Sequence, residues 1–319
     1  MTFAATPKRE LTAEEVEQFR EDGVIMIRDA IEPNWLELIE SGIDQGRSEL
    51  SMVGKFMSRG TEGYEMDVFL WKRIDALRDA IYYGPFAHWA QQLMGSEEVR
   101  FFYDQMFVKE PGTDAPTPWH QDLSFWPIRG EQICSMWIPV DEVSRESSGL
   151  MYVKGSHRWP QRFKAISPDY FEPIIDEEMD DIPDINADPD AYDLLDWDMK
   201  PGDILMFHPL TLHGSYGNSH RERRRRAIAL RWTGDDVIYS PSPTRMGINF
   251  PHDSVAGGPL SGGAFPRIIP SHIPEERAYR AKPESPAKKE VLRGIGKSLL
   301  AKLTQKAAVD KENLKQTWN

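Results

Sequence analysis

From Val99 onward the chain is a succession of short runs rich in β-branched and aromatic residues, with no helix-length stretch between them. The runs at 99–109, 133–140, 150–153, 204–207 and 227–232 are separated by turns that carry proline or glycine. Many short strands without crossover helices exclude a doubly wound parallel sheet and predict an antiparallel sandwich or jelly roll. The first third is of another kind. Thr12 and Glu15 have capping-box spacing, Val16 and Phe19 give the following helix an inward face, and Gly23 ends it before a short strand at 24–27. Further helices are predicted at 34–47 and 71–94, the second interrupted at Gly84-Pro85 and carrying Leu77, Ile81 and Trp89. The fold expected is therefore mainly β with flanking α-helices.

Two segments stand apart. Residues 169–198 are strongly acidic and broken by Pro173, Pro183 and Pro189, the composition of a surface insertion. Residues 282–319 are basic, and Leu292, Ile295, Leu299 and Leu303 recur there at helical spacing. A C-terminal helical tail is expected, packed on the body or on a second copy as a homodimer. Residues 1–281 are expected to form one domain, with the jelly-roll core from about 99.

Composition limits the partners. Hydrophobic residues make up 40% of the 319, enough for a sizeable core, and the formal net charge of -13 disfavours nucleic acid and anionic lipid. Cys134 is the single cysteine, so no intramolecular disulfide forms. Residues 1–10 lack an apolar h-region and no later apolar run is long enough for a bilayer. The expectation is a cytoplasmic protein without stable membrane insertion, acting on a small molecule.

The residues that carry chemistry begin with His120-Gln121-Asp122. On extended chain, alternation sends His120 and Asp122 to one face and Gln121 to the other. An imidazole beside a carboxylate makes two-thirds of a 2-His-1-carboxylate facial triad, the arrangement that leaves open positions on Fe(II). Two histidines compete for the third place. His208 precedes Pro209 where the apolar strand 204–207 ends, and His213 lies against Gly214, where backbone can approach a ligand closely. Beyond them, residues 221–226 carry five arginines and only Glu222 as an acid. On the strand that follows, Arg225, Ala227, Ala229 and Arg231 share a face. The small Ala227 and Ala229 suit a cavity wall, which makes Arg225 the inward guanidinium, able to hold a carboxylate bidentately.

Trp119-His120-Gln121-Asp122-Leu123-Ser124-Phe125-Trp126-Pro127, Pro201-Gly202-Asp203, the stretch from Phe207 through His213-Gly214-Ser215, Asn218, and Arg225-Arg226-Ala227-Ile228 resemble the phytanoyl-CoA dioxygenase family. Gly149-Leu150 followed by Gly155-Ser156-His157 is similar to that family's hairpin signature. The resemblance runs from about 11 to 232. It implies a double-stranded β-helix (jelly-roll) core holding Fe(II) and 2-oxoglutarate, with O₂ as co-reactant. It implies His120, Asp122 and His213 as iron ligands, Arg225 and Ser215 on the distal carboxylate of 2-oxoglutarate, and Gln105 and Trp137 bordering it. This chain has one residue more than the family pattern between the distal histidine and the arginine, and the strand-face argument favours Arg225 over Arg224. Trp119, Phe125, Trp126 and Trp71 are candidates for a substrate wall.

The reaction implied is oxidation of a C–H bond in a small organic metabolite, with release of succinate and CO₂. Two other readings are a jelly-roll metalloenzyme of cupin type without 2-oxoglutarate and a non-catalytic metal-binding scaffold. The first needs no arginine after the distal histidine, and the second is free to lose ligands.

Overall fold

A computed structural model of the chain describes residues 5–165, 179–241 and 250–271. The basic tail lies outside the described residues, as does the acidic insertion up to residue 178.

The helical third forms as its local signals dictate. Helix α1 (Ala13–Asp22) opens on the capping box: Thr12 Oγ1 accepts from the Glu15 amide, and the Glu15 carboxylate accepts from the Thr12 amide. It closes at Gly23, whose φ of 80° favours glycine. A Cβ there would also sit 2.4 Å from His157 Nδ1. Strand β1 (Val24–Ile27) follows, then α2 (Pro33–Ser48), α3 (Met52–Met57), β2 (Tyr64–Val68), α4 (Asp75–Tyr83) and α5 (Phe86–Met94). The break at Gly84-Pro85 separates α4 from α5, and a short 3-10 turn, Leu70–Lys72, precedes them.

The β region contains β3 (Val99–Lys109), β4 (Thr117–His120), β5 (Ile128–Arg129), β6 (Ile133–Pro139), β7 (Met151–Val153), β8 (Leu194–Asp196), β9 (Ile204–Phe207), β10 (His213–Ser215), β11 (Arg225–Thr233), β12 (Ile238–Tyr239) and β13 (Arg267–Ile269). The large sheet runs β1-β9-β6-β11-β3-β13, with β2 also on β3, and the small sheet runs β4-β10-β7-β8. The strand pairs in both are antiparallel. This is the expected mainly-β jelly roll. The early strand at 24–27 joins the core sheet beside β9, and β8 shows that the insertion's C-terminal part completes the edge of the small sheet.

Strand alternation divides the interior in two. Met106, Val108, Met136, Ile138, Ile228 and Leu230 face outward from the large sheet and pack with Trp35, Ile39, Ile43, Ile81, Phe86 and Trp89 of the helices. Trp137, Leu205, Phe207, Ala227 and Ala229 face inward with Tyr152 of the small sheet. The helices thus seal one face and leave the inner one for chemistry. Among the described residues no helix is long and apolar enough to cross a membrane.

Phe86 is fully buried and meets Trp35 edge-on at 6.3 Å between ring centroids. Phe86→Ala is expected to cost about 3–5 kcal/mol, read as a lower urea midpoint at unchanged slope.

Candidate active site

One cross-strand pair organises the centre. β10 lies antiparallel between β4 and β7, in a register that sets His213 opposite His120 and beside Tyr152. Their imidazole centroids are 4.1 Å apart. Gly214 allows this approach, since a Cβ there would lie 2.9 Å from the Thr117 carbonyl and 3.2 Å from the Trp119 amide. Asp122 opens a 3-10 turn just past β4, after the extended Gln121. Gln121 points away, its Nε2 donating to the Leu210 carbonyl and its Oε1 accepting from the Phe163 amide.

The donor atoms of His120, Asp122 and His213 converge within 4.8 Å of one another. Asp122 Oδ1 lies 3.5 Å from His120 Nε2 and 4.0 Å from His213 Nε2. Each Nδ1 meets a backbone carbonyl, that of Pro118 at 2.7 Å and that of Thr211 at 2.9 Å. A carbonyl can only accept, so both Nδ1 atoms carry the proton and both Nε2 lone pairs face the centre, as metal ligation requires. Burial pushes His213 down to about 3, which keeps the imidazole neutral. Burial alone would raise the Asp122 carboxyl, but the Arg231 charge and the two histidines hold it well below the usual carboxylate range. Its outer oxygen Oδ2 accepts from Ser135 Oγ at 3.1 Å and lies 3.7 Å from Arg231 Nε. The donor set fits Fe(II).

His208 does other work. Its Nδ1 accepts from the Leu210 amide, shaping the turn that leads to His213, and its ring lies 5.5 Å from His157.

Two residues further along β10, about 7 Å away by strand geometry, Ser215 enters a buried cationic cluster. Lys109 Nζ donates to Ser215 Oγ at 3.1 Å and to the Tyr216 carbonyl at 2.9 Å. Ser148 Oγ bonds Ser215 Oγ at 3.0 Å and accepts from Arg225 Nη2 at 3.2 Å. Arg225 is 1% exposed, its Nε is buried with no hydrogen-bond partner, and its guanidinium stands 5.6 Å from the Trp137 ring. Burial lowers Arg225 to about 10, and burial with the adjacent Arg225 lowers Lys109 to about 5. A buried guanidinium with a free donor, and a buried lysine amine beside it, fit a carboxylate ligand.

The other expected residues divide. Phe125 stands edge-on to His120 at 5.9 Å, and Trp126 is buried with its Nε1 on Tyr103 Oη at 2.8 Å. Trp119 points to the outer face of the small sheet and bonds Asn186. Trp71 packs with Phe101 and Tyr82 in the core under the helices. Neither Trp119 nor Trp71 joins the metal cluster, because alternation turns Trp119 opposite to His120 and the 3-10 turn carries Trp71 outside the barrel. Gln105 faces inward and accepts from Arg231 Nη2 at 2.9 Å. Lys109, Ser148 and Arg231 are functional candidates that sequence reasoning did not single out. Lys109 was reachable, since it closes β3 on the same alternate face as Tyr103, Gln105 and Phe107.

A jelly roll with a 2-His-1-carboxylate cluster on its inner face and a buried arginine beyond it defines a class, that of non-haem metal-binding double-stranded β-helix proteins. Residues 19–227 match the phytanoyl-CoA dioxygenase (PhyH) family, and the chain belongs to that family. It is 29% identical over 124 residues to the probable phytanoyl-CoA dioxygenase of Caenorhabditis elegans, which covers 38% of this chain and 37% of that protein. It is 30% identical over 145 residues to the peroxisomal phytanoyl-CoA dioxygenase of Rattus norvegicus, covering 44% of this chain and 41% of that one. The chain thus spans about two fifths of the length of these relatives. In fold it is similar to the epimerase SnoN, solved in complex with Fe3+, alpha ketoglutarate and nogalamycin RO. That likeness has a TM-score of 0.64 at 18% identity over 80% of this chain and 97% of SnoN.

Asp122→Ala is expected to abolish Fe(II) uptake in equilibrium dialysis without changing the far-ultraviolet dichroism. Ser135→Ala, which removes only the support of Oδ2, is expected to weaken metal affinity about 10- to 100-fold.

Proposed function

We propose that this chain is an Fe(II)- and 2-oxoglutarate-dependent oxygenase that oxidises a C–H bond of a small organic metabolite. One observation carries the reading: three neutral-or-anionic donors converge on one face, and within the same barrel a buried arginine and lysine wait for a carboxylate. His120, Asp122 and His213 would hold the metal, and three ligands on one face leave the other positions for cosubstrate and O₂. Iron(II) and 2-oxoglutarate bound there supply oxidative decarboxylation to succinate and CO₂, coupled to oxidation of the substrate.

The protein's own residues supply placement. Arg225, Ser215 and Lys109 would bind the distal carboxylate, while Ala227 and Ala229 leave room along the strand and Trp137 walls it. Tyr152 stacks on His213 at 5.6 Å, and its buried Oη has no partner, so it would offer one more donor to a ligand beside His213. The buried site also excludes water from the reacting centre.

The test is anaerobic addition of 2-oxoglutarate to the Fe(II)-loaded protein. A visible charge-transfer band is expected, and its absence would overturn the reading. Arg225→Ala should keep metal uptake but lose about 1.5–3 kcal/mol of 2-oxoglutarate binding, roughly 10- to 150-fold in Kd.

Lys109 adds a pH dependence. Held at about 5, it is neutral at pH 7, and an arriving carboxylate favours its charged form. Binding therefore takes up a proton, and affinity for 2-oxoglutarate should fall as pH rises above about 5. Titration calorimetry in buffers of different ionisation enthalpy reads the proton directly, and Lys109→Met should remove it.

A further inference from the structure

The second inward arginine of β11 is not used by the cosubstrate site. Arg231 is 2% exposed and pairs in register with Tyr103 of β3 and Ser135 of β6. Its guanidinium lies 4.3 Å over the Tyr103 ring and 5.5 Å from that of Trp126. Nη2 donates to Gln105 Oε1, but Nε and Nη1 are buried and make no hydrogen bond. At 3.7 Å, Nε is an ion-pair neighbour of Asp122 Oδ2 rather than a donor to it.

Charge balance shows what this arginine is left for. The two positive charges of a ferrous ion, that of Arg225 and that of Lys109, protonated as the carboxylate arrives, already exceed the one negative charge of Asp122 and the two of 2-oxoglutarate. Arg231 then remains as an uncompensated buried cation beside the iron ligands, which is costly unless an anion arrives. Asp104 does not compensate it, since it sits on the opposite face of β3, where its carboxylate accepts from the Trp71 amide. Around the guanidinium the walls are aromatic: Phe125 lies against His120, and Phe69 contacts both Tyr103 and Phe250.

We propose that Arg231 is the recognition point for an acidic substrate, a small organic acid whose carboxylate takes the free Nη1 donors while its apolar body packs on Phe125 and Phe69. This rests on the oxygenase reading above and narrows its substrate to a class. The C1 carboxylate of 2-oxoglutarate has the same chemistry as the substrate's carboxylate, so the experiment must separate the two.

The experiment uses the full chain loaded with Fe(II) and 2-oxoglutarate without O₂. The visible band is followed while benzoate, phenylacetate and hexanoate are titrated against their amides. Acids are expected to perturb the band and amides not. With O₂ the same acids should raise succinate release above the uncoupled rate. In Arg231→Gln the apparent Kd for the acids should rise tenfold or more while the Kd for 2-oxoglutarate stays within about threefold. Arg231→Lys, which keeps the charge beside Asp122, should recover part of the acid response. The proposal is overturned if no acid perturbs the band, if amides match acids, or if Arg231→Gln weakens 2-oxoglutarate instead. It is equally overturned if both variants lose the iron site, since Arg231 would then serve only to hold Asp122. A wild-type protein with no band at all sinks the oxygenase reading itself, a result distinct from each of these.

Discussion

The pairing of β10 with β4 is the contact on which the site depends. It places two histidines from distant parts of the chain directly opposite each other and turns both Nε2 atoms inward. The pairing is tight because Gly214 has no side chain to hold the strands apart. Asp122 is then delivered by a turn that is itself anchored: the Leu123 amide donates to the Pro209 carbonyl, and Gln121 bridges the Leu210 carbonyl and the Phe163 amide. The segments carrying Asp122 and His213 are thus bonded to each other as well as to the sheet. Preorganisation of this kind holds ligands in geometry before any metal arrives.

A second constraint is electrostatic. Lys109, Arg225 and Arg231 are all buried on the inner face of one sheet. Asp122, the one carboxylate of the metal cluster, lies beside Arg231. Such an arrangement opposes folding, since taking guanidinium and amine groups out of water costs free energy that partial pairing does not repay. It is tolerated because serine hydroxyls, carbonyls and aromatic faces solvate each group in part: Ser215 and Tyr216 at Lys109, Ser148 at Arg225, Tyr103 and Gln105 at Arg231. An anionic ligand bound there would complete that solvation and so link binding to stability.

Much of this was legible before the structure. β3 and β9 fall where their β-branched, aromatic and apolar runs put them, and the capping box and Gly23 bound α1 as read. β1, β7 and β9 are just as short and were read from their apolar runs, whereas β4, β10 and β13 were not visible, because their residues form no such run. Their existence is decided by partners: β4 and β10 are strands because each is the other's neighbour. At the site, the tripeptide His120-Gln121-Asp122 was readable because alternation is local. The choice between His208 and His213 was not local, and it turns on a register with β4 that no short stretch encodes. The four tryptophan and phenylalanine candidates divided for the same reason. An aromatic residue near a ligand in sequence lies near it in space only if the strand face agrees, which Trp119 shows by facing away.

β11 ties these threads together. Along its inner face Arg225 and Arg231 stand six residues apart, about 20 Å of strand, with Ala227 and Ala229 between them. The two alanines matter as much as the arginines. A larger side chain at either position would press on Trp137 and Tyr152, with which the alanines pack. The same strand thereby separates the two guanidiniums by length, one beside Ser148 and the other beside Asp122. Exchanging the roles of the two arginines is not available to the fold. Ser215 lies two residues beyond His213 on β10 and joins Arg225 through Ser148, whereas Ser135, which supports Asp122, is Arg231's register partner. Position along one strand therefore decides which neighbours each arginine has.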